Sequence, residues 1–270
     1  MQPVIGPAGG GLVHVMTFNL RYPARDPGHL WEQRRPLTAA LLRLERPTVL
    51  GTQEGYHGQV RDVAADLPDG YEWVGLGREG GSRGEFAAVF YDAGRLRPLE
   101  YDHFWLSDTP RGVGSVSWGN TIPRMATWVR FADPASRAEL VVLNTHLDHA
   151  SAPARERGAE LLAETVASFD PLPVVVTGDF NAPAGAGPVY TRMTAKAGLV
   201  DTWPAAHRQL TPEFETCPGY REPAVGGDRI DWVLATPAIT AEAAAINPFG
   251  GNGRYPSDHL PVQALLRLPA

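Results

Sequence analysis

Short apolar runs bounded by Gly, Pro, Asn or Asp recur along the chain, at residues 12–19, 48–53, 71–75, 85–91, 125–131, 139–145, 173–178, 230–235 and 261–268. Their Val, Ile, Leu and aromatic content predicts β-strands. Helical spacing is clear in two places. Over residues 31–44, Leu37, Leu41 and Leu44 share one stripe, and over 154–169 Leu161, Leu162, Val166 and Phe169 do the same. Weaker helical patterns cover residues 59–67 and 189–197. Strands outnumber helices too strongly for regular βαβ alternation, so the pattern predicts mixed or antiparallel sheets with helices on the outer faces. No linker divides the chain. The Gly- and Pro-rich stretch 108–123 comes nearest, but Trp118 marks it as a structured loop, and residues 1–270 are read as a single domain.

Composition narrows the choice of partner. The 270 residues carry a formal net charge of -6, and Lys196 is the only lysine. Nearly all positive charge is therefore arginine, which grips phosphate or carboxylate through a planar fork of donors. Non-specific nucleic-acid binders usually show a strongly basic face, which this balance does not promise. Cys217 is the only cysteine, so no intrachain disulfide can form. It lies in a polar, proline-flanked stretch without an adjacent base, which argues against a cysteine nucleophile. The opening MQPVIGPAGGGLV lacks the charged and apolar regions of a secretory leader, and no apolar run approaches the length of a membrane span. The expectation is a cytoplasmic monomer that does not enter membranes.

Three motif matches fail on context. Gly75, Gly77 and Gly80 fit G-x-G-x-x-G, and Gly80, Ser82 and Gly84 fit G-x-S-x-G. Both motifs require a helix directly behind the glycines. Here a strand follows, so a hairpin loop is expected. Asp179 and Asn181 could open a calcium loop, but Ala184 and Tyr190 stand where glycine and glutamate are needed.

What remains is a set of polar residues at strand ends. Asn19 closes LVHVMTFN, Glu54 closes TVLGTQE and His146 closes LVVLNTH; Asp179 and Asn181 follow PVVVTG, Asp231 interrupts RIDWVL, and Asp258 and His259 precede LPVQALL. Singly, a carboxylate at a strand end is usually a turn residue. The repetition is what points to chemistry. Asn19, Glu54, Asp179, Asn181 and Asp258 offer hard oxygen donors suited to Mg²⁺ or Mn²⁺. His146 and His259 add proton transfer, and together these are the parts that phosphoester cleavage needs. His146, Asp148 and His149 do not make a sound zinc set on their own.

With GDFN at 178–181 and SDH at 257–259, the chain resembles the endonuclease/exonuclease/phosphatase superfamily related to deoxyribonuclease I. FNLR at 18–21, QE at 53–54, NTHLDH at 144–149 and RID at 229–231 follow in the family's order, so the resemblance spans about residues 13–266. It implies an α/β (α+β) four-layer sandwich, two mixed sheets face to face with helices outside and the site at one end. It implies Glu54 as principal metal carboxylate, assisted by Asn19 and Asp258. Asp179 and Asn181 would position the attacking water and the phosphate. His259 oriented by Asp231, and His146 paired with Glu85, would be the catalytic histidines, with base and acid left open between them.

Closer similarity to a bacterial subgroup of unassigned substrate lies in WEQRR (31–35), FWLSDTP (104–110), SWGN (117–120) and PRMATW (123–128). These segments put Arg34, Trp105, Trp118 and Arg124 forward either as packing residues or as a substrate rim. The resulting expectation is a Mg²⁺-dependent hydrolase of a small organic or sugar phosphoester. A DNA or RNA nuclease is the alternative, and an inactive binding relative is disfavoured because every site position keeps its chemistry.

Overall fold

A computed structural model describes residues 2–251 and 253–269. Two six-stranded sheets form the body. The first contains β1 (Leu12–Asn19), β2 (Val49–Gln53), β3 (Tyr71–Val74), β4 (Ala88–Asp92), β11 (Thr240–Ile246) and β12 (Val262–Arg267), in the order β11-β12-β1-β2-β4-β3. The second contains β5 (Arg97–Trp105), β6 (Met125–Asp133), β7 (Ala138–His146), β8 (Val174–Asp179), β9 (Val200–Asp201) and β10 (Asp231–Ala235), in the order β5-β6-β7-β8-β10-β9. Each sheet is mixed around one parallel pair. Helix α1 (Trp31–Glu45) crosses between parallel β1 and β2, and a second helix, Ala152–Ala167, crosses between parallel β7 and β8. A helix over His57–Asp66 covers the first sheet beside α1, and Gly187–Thr191 with the following π-helical turn Arg192–Lys196 accounts for the weaker pattern near 189–197.

Period-two alternation sorts the strands into layers. Val13 and Val15 of β1, Val142 of β7 and Val175 of β8 meet between the sheets. Met16, Phe18 and Leu50 turn outward under Leu41 and Leu42 of α1, while Val141, Leu143 and Val176 turn outward under Leu162 and Val166. The result is the four-layer sandwich anticipated above. Toward one end the inner stripe becomes polar. Gln53 Nε2 donates to Thr17 Oγ1 (3.0 Å) and Asn144 Oδ1 (2.6 Å), and Thr177 Oγ1 donates to the same Asn144 oxygen (3.1 Å). Asn144 Nδ2 donates to the carbonyls of Thr52 and Ala88. This buried network ties the sheets directly beneath the strand ends. It requires glycine at 51, where a Cβ would meet Asn144 Oδ1 at 2.7 Å and collide with Thr177 Oγ1.

Two expectations are adjusted. The run at 85–91 becomes strand only from Ala88, with Glu85 and Phe86 in isolated bridges to Tyr56 and Gly77. Strands β5, β9 and β11 lie outside the predicted runs. The glycine-rich segment near 80 is a hairpin loop, closed by Gly77 N–H to Gly81 O (2.9 Å) and Gly80 N–H to Gly77 O (2.7 Å). Among the described residues no helix is long and apolar enough to cross a membrane.

Far from the cleft, fully buried Glu45 closes α1 over the start of the chain. Its carboxylate accepts the backbone N–H groups of Val4 (2.7 Å), Ile5 (3.1 Å) and Gly6 (3.1 Å), with Asn247 and Gln263 amides completing the shell. Burial opposes its ionisation, but these donors outweigh that and hold its pKa below the usual value. Neighbouring His14 is fully buried, and burial pushes its pKa from 6.5 down to about 4. The unfolded chain therefore takes up a proton at His14 in the window between 6.5 and about 4, where the folded one does not. Stability is full above that window and falls as the pH drops through it, by about 3 kcal/mol from this group. Urea unfolding at pH 7 and pH 4.5 should show that fall, and His14→Gln should flatten it; identical slopes in both proteins would remove His14 as the source.

Candidate active site

The polar strand-end residues meet at the end of the sandwich marked by the polar network. Asn19, His146 and Asp179 are the last residues of β1, β7 and β8, and Glu54 directly follows β2. Asp231 opens β10, antiparallel to β8, and Asp258 and His259 stand just before β12, antiparallel to β1, so all arrive at the same edge. Register places both His146 and Asp231 opposite Asp179. Arg21, Glu54 and Asn181 adopt left-handed backbone, with φ of 56°, 62° and 48°. Such strain in non-glycine residues persists where the surroundings over-determine it, and it concentrates at functional sites.

One half of the site is acidic. Asn19 Nδ2 donates to Glu54 Oε1 (3.1 Å) and Asp179 Oδ2 (3.0 Å), bridging the two sheets, while its Oδ1 accepts the Arg21 N–H (2.9 Å). Glu54 Oε2 accepts the Tyr22 N–H (3.0 Å). The Arg21 guanidinium lies 3.4 Å from Asp258 and 3.9 Å from Glu54. These carboxylates thus gather around positive charge, and ligand atoms of Glu54, His146 and Asp179 lie within 4.8 Å of one another. A donor set dominated by carboxylate oxygen fits a hard divalent cation held by Glu54 and Asp258. Asn19 could join only through its amide oxygen.

The other half holds the histidines. His259 Nδ1 is 2.9 Å from Asp231 Oδ2, and its Nε2 is 3.9 Å from Asp179 Oδ2. Burial acts against the imidazolium, but the Asp231 carboxylate outweighs it and raises the His259 pKa well above the ordinary value. Asp179 is pushed up to about 7 by burial and by Asp231. His146 goes the other way: burial and then the Arg124 charge hold it well below the usual range, hence neutral. Its Nε2 meets Asn181 Nδ2 at 3.1 Å, and Asn181 Nδ2 also donates to the Leu147 carbonyl (3.0 Å). Glu85 stands 4.0 Å from His146 Nδ1, too far for a hydrogen bond, and burial pushes it up to about 7. The expected Asp231–His259 pair is therefore formed, whereas Glu85 faces His146 without bonding it.

The rim residues separate. Arg124 lines the cleft, which measures roughly 510 Å³. Arg34 does not, and its role is support. Its guanidinium donates to the carbonyls of His29 (2.8 Å), Leu20 (2.7 Å), Pro256 (2.8 Å) and Arg21 (3.0 Å). It braces the loops that carry Arg21 and Asp258 from beneath. Trp105 is buried and donates Nε1 to the Arg78 carbonyl (2.7 Å). Trp118 donates to Asp108 (2.8 Å) and accepts Ser151 Oγ at its carbonyl (2.8 Å), tying its loop to the start of the 152–167 helix. Neither tryptophan lines the cleft; both follow the packing alternative. Tyr22, Tyr56, Arg78, His149 and Cys217 do line it. The Cys217 thiol sits beside His259, which is remote in sequence. Arg21, which also lines the cleft, and His149 lie in the FNLR and NTHLDH motifs, whereas Tyr22, Tyr56 and Arg78 carried no such sequence signal.

Asp231→Asn should keep the fold and lower kcat by roughly 10- to 1000-fold, between the effects of an orienting partner and of a catalytic base. Thermal melting and steady-state kinetics check this together, and unchanged turnover would remove Asp231 from the catalytic set.

The model of the Endonuclease/Exonuclease/phosphatase family matches residues 16–259. No curated protein sequence matches the chain. An endonuclease/exonuclease/phosphatase from Bacteroides vulgatus is 32% identical with TM-score 0.89, covering 95% of this chain and 99% of that one. A mannosyl-6-phosphatase from Bacteroides thetaiotaomicron is 29% identical with TM-score 0.88, covering 94% and 99%. D. rerio TDP2 complexed with a single-strand DNA product shares the fold at 14% identity and TM-score 0.71, covering 95% and 99%.

Proposed function

The chain belongs to the Endonuclease/Exonuclease/phosphatase family, and on that premise we propose that it is a divalent-metal-dependent phosphoesterase of a small organic or sugar phosphate. The observation that carries this reading is a single cleft where Glu54 and Asp258 face two buried histidines across Asp179 and Asn181. Glu54 and Asp258 would hold Mg²⁺ or Mn²⁺, with Asn19 available through its oxygen, and the ion supplies neutralisation of the phosphate charge. Asp179, whose carboxylate is made more basic by burial and the Asp231 charge, takes the proton of the attacking water. Protonated His259, held by Asp231, stabilises charge growing on the phosphoryl oxygens. Neutral His146 and Asn181 keep each other oriented.

Small substrates are favoured by charge and by likeness. A duplex gains affinity from a track of cations, and net -6 steers a polyanion poorly. The similar Bacteroides thetaiotaomicron protein is a mannosyl-6-phosphatase. A panel of sugar phosphates, small diesters and plasmid DNA, run with Mg²⁺ and Mn²⁺ at matched salt, tests the reading. The expected outcome is a higher kcat/KM on a small ester. Efficient plasmid nicking with weak turnover of every small ester would promote the nuclease reading instead.

A further inference from the structure

Arg78 belongs to the glycine-rich hairpin between β3 and β4, a segment whose sequence reads as mere connection. Its backbone is fixed on both sides: its N–H donates to the Glu85 carbonyl (2.9 Å), and its own carbonyl accepts the Trp105 indole N–H (2.7 Å). Gly77 lets the chain pass so close to the Arg83 carbonyl that a Cβ would collide. A rigid mount therefore delivers this side chain to the cleft.

The contrast with Arg34 is informative. A guanidinium carries five N–H donors. Arg34 directs its donors to four backbone carbonyls, as a structural arginine should. Arg78 makes one side-chain hydrogen bond among the described residues, Nη1 to Glu85 Oε2 (2.6 Å), and its buried Nε has no partner. Arg124 gives Nε to Asp148 (3.5 Å) and Nη2 to His149 Nδ1 (2.8 Å), while its Nη1 stays 4.0 Å from Glu85 Oε2. His146 Nδ1 is also 4.0 Å from that oxygen. Two under-used guanidiniums thus converge beside His146, around one carboxylate. Asp148 holds Arg124 through Oδ2 alone, its Oδ1 accepting the N–H groups of Ala150 (3.0 Å) and Ser151 (2.6 Å).

We propose that Arg78, together with Arg124, is a specificity-determining pair that binds a terminal phosphate oxygen and selects phosphomonoesters over phosphodiesters. The proposal rests on the phosphoesterase reading above and names its substrate class. A monoester presents three non-bridging oxygens and a diester two. With two oxygens taken up at the Glu54–Asp258 cation site, Asn181 and His259, the third would face the guanidiniums, whose forked donors suit anionic phosphate oxygen. A diester must set an esterified oxygen and its substituent there, a weak acceptor that leaves the donors unmet. Trp105 acts as a positioning residue, through the Arg78 carbonyl.

The test compares wild type, Arg78→Gln, Arg78→Lys and Trp105→Phe on p-nitrophenyl phosphate and its methyl diester, with calorimetric binding of inorganic phosphate in Mg²⁺. Arg78→Gln should lower kcat/KM on the monoester by about 100-fold, the scale of losing one preorganised donor. The diester should lose less than about 5-fold, and phosphate should bind about 10-fold more weakly, the effect of one net hydrogen bond to a charged group. Arg78→Lys, which keeps the charge and lacks the fork, should fall between; it also decides the matter if the glutamine variant does not fold. Trp105→Phe should show the same monoester-selective loss in smaller degree. Equal losses on both esters, or unchanged phosphate binding, overturn the pair. If wild type binds phosphate through Arg78 but hydrolyses neither ester, Arg78 stays a phosphate ligand, while the ester selectivity and the phosphoesterase reading both fall.

Discussion

Removal of divalent cations with EDTA is expected to abolish hydrolysis of every phosphoester, and added Mg²⁺ or Mn²⁺ to restore it. Glu54, Asp258 and Asp179 put three carboxylates at the place where a phosphate must enter. The Arg21 guanidinium lies 3.4 Å from Asp258 and 3.9 Å from Glu54, while Arg78 and Arg124 line the other side of the same cleft, beside Glu85. Without a cation, the phosphate oxygens turned toward Glu54 and Asp258 meet carboxylate oxygen directly, in a partly desolvated cleft where charge interactions are strong. A cation bound only by the folded chain should also raise Tm, by about 2.7 kcal/mol of stabilisation at a hundredfold excess over Kd. Glu54→Gln should lose both the activity rescue and the thermal shift. Full activity in a sample verified metal-free by elemental analysis would sink the metal reading.

The central site residues were legible because each closes or opens an apolar run, and the fold places those run ends together. Asn19, His146 and Asp179 terminate β1, β7 and β8, whose buried residues leave no doubt about strand identity. Edge strands lack that signal. The residues of β5 from Arg97 to Tyr101 are exposed, so their apolar pattern is thin. Buried β11 reads TAEAAAI, and alanine carries little β-preference; its pairing with β12 decides the outcome. Loop side chains were harder still. Arg34 and Trp105 look like ligand-binding residues by type, yet both turn inward to hold backbone carbonyls. Arg78 sits among glycines whose spacing suggests only a turn, and its place in the cleft depends on contacts with Glu85 and Trp105 that are distant or invisible in a one-dimensional pattern.

Asp179→Asn should lower kcat by about 100- to 10,000-fold, the range for loss of a positioned proton acceptor. The effect should fall on kcat, because the amide can still occupy the space between Asn19 and the Asn181 N–H, which donates to Asp179 Oδ1 at 2.9 Å. Stability should move oppositely. Burial and the nearby Asp231 carboxylate raise the Asp179 pKa from 3.8 to about 7. The folded state therefore binds a proton that the unfolded state has released, and stability from this group declines as the pH rises from about 4 through 7. Above that window the wild type folds around an unfavourable buried charge, which asparagine removes. At pH 8 the variant should thus melt at the same temperature or higher while being nearly inactive, the trade-off expected where a site keeps a destabilised group for its chemistry. Melting curves at pH 5 and pH 8, paired with single-turnover rates, check both halves. A variant that loses activity and stability together would make Asp179 a structural brace between the sheets; one that keeps its rate would leave water activation to another group in the cleft.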